Sequence, residues 1–242
     1  MRRPGGNQIF FIFLFIMLIS AFQSGQFTDP SWWQNTLLLL PGIIIGLTFH
    51  EFAHAWSAWK LGDQTPKLQG RVNLNPISHI DPLGIIILIF AGFGWGRPVQ
   101  INPYGFRGNR RVAGLIVSVA GVATNFVLAF LFFGLLFAIA VSGAPQAAVL
   151  DVVEYIVYIN IVLMVFNLLP IPPLDGFGIL TELFDLRRFS WYQPLYNNGF
   201  FILLGLIVVG RVTNLNLIWI LISSALGSLY SLFYSVWGAI IL

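Results

Sequence analysis

Long apolar segments alternate with short polar loops along the whole chain. A helix needs about 20 apolar residues to cross the roughly 30 Å hydrocarbon core of a bilayer. Six segments are candidates for crossing, at residues 9–22, 37–59, 112–141, 152–170, 199–209 and 217–242. The first follows two arginines but lacks the cleavage site of a signal peptide, so we expect a retained helix. The pattern therefore predicts an all-α, polytopic membrane protein with about six transmembrane helices.

One further apolar run, LGIIILIFAGFGW at residues 83–95, decides the predicted topology. If this run does not cross and the N-terminus is cytoplasmic, all but one of the 12 Lys and Arg residues lie in the cytoplasm, in agreement with the positive-inside rule. If it crossed, Lys60, Lys67 and Arg71 would lie opposite the basic residues of 97–111. We therefore expect a re-entrant or interfacial segment, or a β-hairpin, between the second and third helices, with both termini cytoplasmic.

The composition agrees with a membrane protein. Of the 242 residues, 57% are hydrophobic and 9% are charged, whereas about 25% charge is usual in soluble proteins. The net charge of +3 is too small to indicate a nucleic-acid partner, and the absence of cysteine excludes disulfides and thiolate metal ligands. Because no repeat or linker is evident, we expect one integral-membrane domain over residues 1–242, in the lipid bilayer of the plasma (inner) membrane.

The second predicted helix contains an unusual polar cluster in the stretch LTFHEFAHAW. His50 and His54 are one turn apart, so they share a face and can bind one cation. Glu51 points about 100° away, near enough to accept a proton from water that the metal activates. This HExxH pattern is typical of zinc hydrolases. The alternative is ordinary packing of polar residues, but a charge-capable group in hydrocarbon costs about 2.5–3.5 kcal/mol.

A catalytic zinc takes three protein ligands and keeps one open position. His79 is the only other histidine, and Asp175 is the better candidate for the third ligand. Asp175 lies in NLLPIPPLDGFGIL, where three prolines must break the fourth helix. Both helices run toward the cytoplasm, which brings Asp175 to the depth of the histidines. The alternative is that Asp175 caps a helix end.

The third predicted helix carries a stripe of small and polar residues that ends at Asn125. Packing alone explains its glycines, but an amide in hydrocarbon needs a partner. Asn125 could therefore brace the site, or contact an extended substrate or an oxyanion.

Several motifs together resemble the site-2 protease family of intramembrane zinc metalloproteases, over about residues 47–180. They are HEFAH, GRVNLNPISHIDPLG at 70–84, GWGRPVQINP at 94–103, the Asn125 region and NLLPIPPLDG at 167–176. The resemblance implies one zinc ion bound by His50, His54 and Asp175, with Glu51 as general base. It also implies a three-helix catalytic core, within about residues 37–180, that cleaves a transmembrane helix of a membrane-protein substrate near the cytoplasmic side. The family's Gly-Pro-x-x-Asn pattern appears here as GVATN, without the proline.

The matched loop contains His79 and Asp81, for which we expect a structural or gating role, with an auxiliary catalytic role for His79 as the alternative. Residues 83–95 could present a strand edge to an unwound substrate. We expect residues 73–82 and 167–176 to line the route of water to the site. The competing functions are an intramembrane metal transporter and a proteolytically inactive, membrane-binding relative. Glu51 favours hydrolysis, because transport does not require a base beside the metal.

Overall fold

The computed structural model describes residues 25–91, 94–143, 147–213 and 216–242, together with Phe15, Ile19, Phe22 and Gln23. Over these residues the chain forms nine α-helices and no β-strand: α1 (Pro30–Lys60), α2 (Thr65–Leu68), α3 (Pro76–His79), α4 (Pro82–Ala91), α5 (Arg110–Val141), α6 (Ala147–Asn167), α7 (Asp175–Phe184), α8 (Tyr192–Val212) and α9 (Leu217–Ile241). The all-α prediction is confirmed. Five helices, α1, α5, α6, α8 and α9, are long and apolar enough to cross a membrane.

These five helices correspond to the second to sixth predicted spans. The helix α8 begins at Tyr192, well before the predicted start, because its first turns carry tyrosine and amide side chains that lower the hydropathy without preventing a helix. The first predicted span, residues 9–22, lies almost wholly outside the described residues. The count of six helices and the cytoplasmic placement of both termini therefore stay predictions.

The helices α1, α5 and α6 pack against one another and hold the site between them. Small residues allow this close approach. A Cβ atom on Gly42 would lie 2.9 Å from the carbonyl oxygen of Tyr155, and one on Gly46 would lie 2.7 Å from a methyl carbon of Leu163. The C-terminal helix α9 packs across α5 and α6 through the fully buried Phe233.

Residues 83–91 of this run belong to the short helix α4, so the predicted β-hairpin is wrong for the described residues of the run. Pro82 occupies the first position of α4, and Asp81 caps the helix by accepting a hydrogen bond from the amide of Leu83 at 2.9 Å. A helix of ten residues spans about 15 Å, too little to cross a bilayer. Ile80 and Gly96 pair as an antiparallel bridge, so the two ends of the segment that contains α4 lie side by side. Insertion of α4 into the membrane stays a prediction.

The three prolines separate α6 from α7. The helix α6 ends at Asn167, and the backbone is extended at Leu174, immediately before α7. Only glycine fits at position 176, because a Cβ atom there would lie 2.2 Å from the carbonyl oxygen of Leu168. Leu174, which is partly buried, packs against a buried cluster that contains Leu203 and Leu204 of α8. This packing holds the segment that carries Asp175 against the rest of the bundle.

Candidate metal centre

Two elements bring the three predicted ligands together. His50 and His54 lie one turn apart on α1, and Asp175 is the first residue of α7. The two Nε2 atoms lie 3.1 Å apart, and each lies 3.2 Å from Oδ2 of Asp175. Both histidines are buried. In the described part of the chain, these three residues form the group of histidine and acidic side chains that could hold a metal ion.

The other nitrogen of each imidazole is bound by protein. Nδ1 of His50 lies 2.6 Å from Oδ1 of Asn125, and Nδ1 of His54 lies 2.7 Å from the carbonyl oxygen of Val117. These oxygens can only accept, so each Nδ1 carries the proton and donates it. In the neutral form of each ring, the lone pair on Nε2 therefore faces Asp175.

The orientation of the Asn125 amide follows from two backbone carbonyls. The carbonyl oxygen of Ile156 accepts from Nδ2 of Asn160 at 2.8 Å, which turns Oδ1 of Asn160 toward Asn125. Nδ2 of Asn125 donates to that oxygen at 2.9 Å and to the carbonyl oxygen of Gly46 at 3.2 Å. Oδ1 of Asn125 must then face His50. The tautomer of His50 therefore follows from the carbonyl oxygens of Ile156 and Gly46, which can only accept hydrogen bonds.

This arrangement fits a divalent metal. Oδ2 of Asp175 is buried without a hydrogen-bond partner among the described residues, and it faces two imidazole lone pairs. Three acceptors in contact repel one another unless a cation lies among them. A single proton bridges only two of them, whereas a metal ion is bound by all three. Two imidazoles and one carboxylate suit a borderline-soft ion such as zinc.

Glu51 lies beside the three ligands and opens onto the same cavity. Oε2 of Glu51 accepts a hydrogen bond from the amide of Val99 at 3.1 Å, and Nη2 of Arg71 lies 3.9 Å from the same oxygen. The cavity has a volume of about 370 Å³ and is lined by Glu51 and all three ligands. A carboxylate that does not bind the metal but shares its cavity is placed to move a proton.

The walls of this cavity differ in part from the predicted ones. Asn167 and the residues from Pro173 to Asp175 line it, in agreement with the prediction for 167–176. Among the described residues, none of 73–82 lines it, so that part of the prediction is wrong. The segment from Pro98 to Pro103, which has no regular secondary structure before Pro103, takes that place together with the facing sides of α5, α7 and α8. Loop 73–82 instead pairs with residues 96 and 97, where Ile80 bridges Gly96 and the carbonyl oxygen of His79 accepts from the amide of Arg97.

The two remaining predicted residues lie away from the cavity. Asn125 is fully buried behind His50, and its amide hydrogens are donated to protein acceptors. This placement supports the bracing role and gives no access to substrate or oxyanion. His79 is also fully buried, with Nε2 at 2.7 Å from the carbonyl oxygen of Asn73 and Nδ1 at 3.4 Å from Nη2 of Arg71. Burial lowers the pKa of His79, and its contacts agree with the predicted structural role; an auxiliary catalytic role stays a prediction.

Sequence reasoning missed three polar groups around the site. The sequence pattern indicates only a loop charge at Arg71, yet this residue is buried beside Glu51. Glu182 is buried and lines the cavity, and it accepts a bidentate hydrogen bond from Arg187. This pairing raises the pKa of Arg187. Glu182 could have been found from the sequence, because it is an acidic residue in the otherwise apolar stretch GILTELF of α7.

The fold and the site define a class. Two histidines and a carboxylate that can bind a metal, with a second carboxylate beside them that is not a ligand, are typical of a metal-dependent hydrolase. Here this group lies between membrane-spanning helices, so the hydrolase is embedded in the membrane. Comparison with known proteins narrows this class. Residues 136–209 match the family model described as peptidase family M50.

Two relatives extend the comparison over most of the chain. The protein named "Putative zinc metalloprotease YwhC" from Bacillus subtilis (strain 168) is 39% identical over 199 residues, which cover 80% of this chain and 90% of that protein. "Putative zinc metalloprotease Rip2" from Mycolicibacterium smegmatis is 34% identical over 178 residues, or 71% of this chain and 67% of the relative. No solved structure shows a significant match. The chain belongs to peptidase family M50, the site-2 protease family.

Proposed function

We propose that this protein is an intramembrane zinc endopeptidase, which cleaves a transmembrane helix of a membrane-protein substrate near the cytoplasmic side. The convergence of His50, His54 and Asp175 beside Glu51, in one cavity between membrane-spanning helices, carries this proposal. The relatives that match most of the chain are named as zinc metalloproteases, which supports zinc as the metal and peptide bonds as the substrate.

The three ligands would hold zinc through Nε2 of His50, Nε2 of His54 and a carboxylate oxygen of Asp175. When bound, zinc supplies Lewis-acid chemistry: it acidifies water and polarises the scissile carbonyl. Asn125 and the carbonyl of Val117 keep each Nδ1 protonated, so that each Nε2 stays available as a ligand.

Glu51 is the general base in this proposal. Oε2 accepts from the amide of Val99, so we assign proton transfer to Oε1. Oε1 takes a proton from the attacking water and later gives it to the amine that leaves. The hydrogen bond from Val99 keeps the carboxylate in one orientation while the proton moves.

The test is a cleavage assay with the protein purified in detergent and a panel of single-span membrane peptides. We expect wild-type protein with bound zinc to cut within a span, and a chelator to stop the reaction. Glu51→Gln should keep zinc and lose cleavage. The exposed Glu154 on α6 offers a matched control, because Glu154→Gln makes the same change away from the site and should keep both.

Two results would count against the proposal. Undiminished cleavage by Glu51→Gln would remove the base from the mechanism. Zinc binding by wild-type protein without cleavage of any peptide, together with zinc flux in liposomes, would favour the transporter instead.

A further inference from the structure

Arg71 is a buried cation that the proposed chemistry does not yet use. Arg71 is only 6% exposed, although it lies in the loop between α2 and α3. Burial lowers the pKa of Arg71, and the nearby carboxylate of Glu51 opposes this effect. A buried guanidinium needs close partners to offset its desolvation.

The side chain of Arg71 binds two successive carbonyl groups at the start of the segment that lines the cavity. Nη1 donates to the carbonyl oxygen of Pro98 at 3.1 Å, and Nη2 donates to the carbonyl oxygen of Arg97. The planar fork of a guanidinium can donate to two neighbouring acceptors at once, whereas a lysine ammonium is a point charge on a flexible stem. Arg71 therefore fixes both the position and the tilt of this stretch of backbone.

The same stretch of backbone holds the general base. The residue after Pro98 is Val99, whose amide donates to Oε2 of Glu51 at 3.1 Å. Nη2 of Arg71 lies 3.9 Å from that same oxygen. One guanidinium thus restrains Glu51 twice, through its charge and through the peptide that hydrogen-bonds to the carboxylate.

His79 supports this group from behind. The amide of Arg97 donates to the carbonyl oxygen of His79 at 2.8 Å. Nε2 of His79 donates to the carbonyl oxygen of Asn73, which leaves Nδ1 as an acceptor facing Nη2 of Arg71 at 3.4 Å. A neutral His79 can therefore lie against the cation without repelling it.

One donor of Arg71 has no partner among the described residues. Its Nε is buried without a hydrogen bond, which is a destabilising feature in a group retained for packing alone. In contrast, both Nη atoms donate to carbonyl oxygens just before Val99, and Nη2 also lies near Glu51 and Nδ1 of His79. The two hydrogen bonds to backbone carbonyls thus lie on the segment that leads to Val99 and Glu51.

We propose that Arg71 is a positioning residue, which holds the 97–99 backbone and the Glu51 carboxylate in the geometry for proton transfer, with His79 as its support. The inference rests on the proposed peptidase function. It predicts that loss of Arg71 lowers the turnover of zinc-loaded enzyme more than it lowers zinc binding or substrate affinity.

The experiment compares wild type, Arg71→Gln, Arg71→Lys and the exposed control Arg107→Gln in the same detergent and lipid. Bound zinc, thermal unfolding, kcat and KM are measured, and kcat is expressed per zinc-loaded, folded molecule. We expect Arg71→Gln to lower this kcat by about ten- to a hundredfold, the scale of a misplacement near 1 Å, with KM changed less than about threefold. Arg71→Lys should restore only a small part, and Arg107→Gln should match wild type.

The outcomes separate this inference from the function on which it rests. A kcat per zinc-loaded molecule within about threefold of wild type in both Arg71 variants would overturn the positioning role. Loss of zinc and of the folded state in both variants would also overturn it, because Arg71 would then be purely structural. A wild-type protein that cuts no peptide, or full activity of Glu51→Gln, would instead refute the proposed function.

Discussion

Gly121 of α5 lies directly against the candidate ligands, so an added methyl group tests the geometry of the centre. A Cβ atom at this position would lie 2.4 Å from Nε2 of His54, 2.6 Å from Cε1 of His50 and 2.7 Å from Nε2 of His50. Non-bonded carbon atoms prefer a separation of about 3.5–4.0 Å. In Gly121→Ala, either the imidazoles or α5 must therefore move by roughly 1 Å.

Such a movement is large on the scale of a metal site, where ligand distances hold within about 0.2 Å. We expect the zinc affinity of Gly121→Ala to fall by at least the 10- to 100-fold that is typical when a supporting contact of a ligand is lost. Cleavage should fall with it. Helix propensity acts in the opposite direction, because alanine in place of glycine favours a helix by about 1 kcal/mol.

The assay is a competition between the protein and a zinc chelator, with thermal unfolding of the metal-free protein measured alongside. Gly227 in α9 provides the matched control, since it is also a helical glycine but has nothing within 4 Å of the position of a Cβ atom. Gly227→Ala should bind zinc as wild type does. Wild-type affinity and cleavage in Gly121→Ala would refute the close approach of α5 to His50 and His54.

Two further predictions concern polar groups around the cavity. Asn125→Ala removes the acceptor for Nδ1–H of His50, so zinc affinity in the competition assay should fall about 10- to 100-fold; unchanged affinity with lost cleavage would instead indicate a substrate contact. Arg187→Gln leaves the buried carboxylate of Glu182 unpaired and should lower the free energy of unfolding by about 1–3 kcal/mol. The loss is smaller than for a fully buried pair, because the side chain of Arg187 is half exposed and its charge is screened by solvent. In thermal unfolding, the double variant with Glu182→Gln should recover most of this loss, and no recovery would contradict the pairing.

The membrane-spanning helices could be predicted because lipid imposes one requirement on every span, a long apolar stretch. This requirement acts residue by residue and needs no knowledge of neighbours. It explains why five predicted spans reappear as α1, α5, α6, α8 and α9. It also explains why the start of α8 was placed too late, since tyrosine and amide side chains near Tyr192 lower the hydropathy of residues that are helical.

The short helix α4 shows where local patterns mislead. The run GIIILIF is rich in β-branched residues, and a strand was a reasonable alternative. Two flanking residues decide otherwise: Asp81 accepts the first free amides, and Pro82 supplies a backbone angle suited to the first helical turn. This cap favours a helix over a β-hairpin at this position.

The ligands could be predicted because their spacing is itself the signal, with His50 and His54 at one helical turn and Asp175 beside the break that three prolines impose. The supporting contacts could not, because most of them are backbone carbonyls. Val117, Gly46 and Ile156 contribute only a carbonyl oxygen to the network that sets the imidazole protons, and any residue type supplies the same atom. Those oxygens become specific only when α1, α5 and α6 pack at one register. The chemistry of HExxH can therefore be read from side chains, whereas the protonation that makes each histidine a metal ligand is a property of the packed helices.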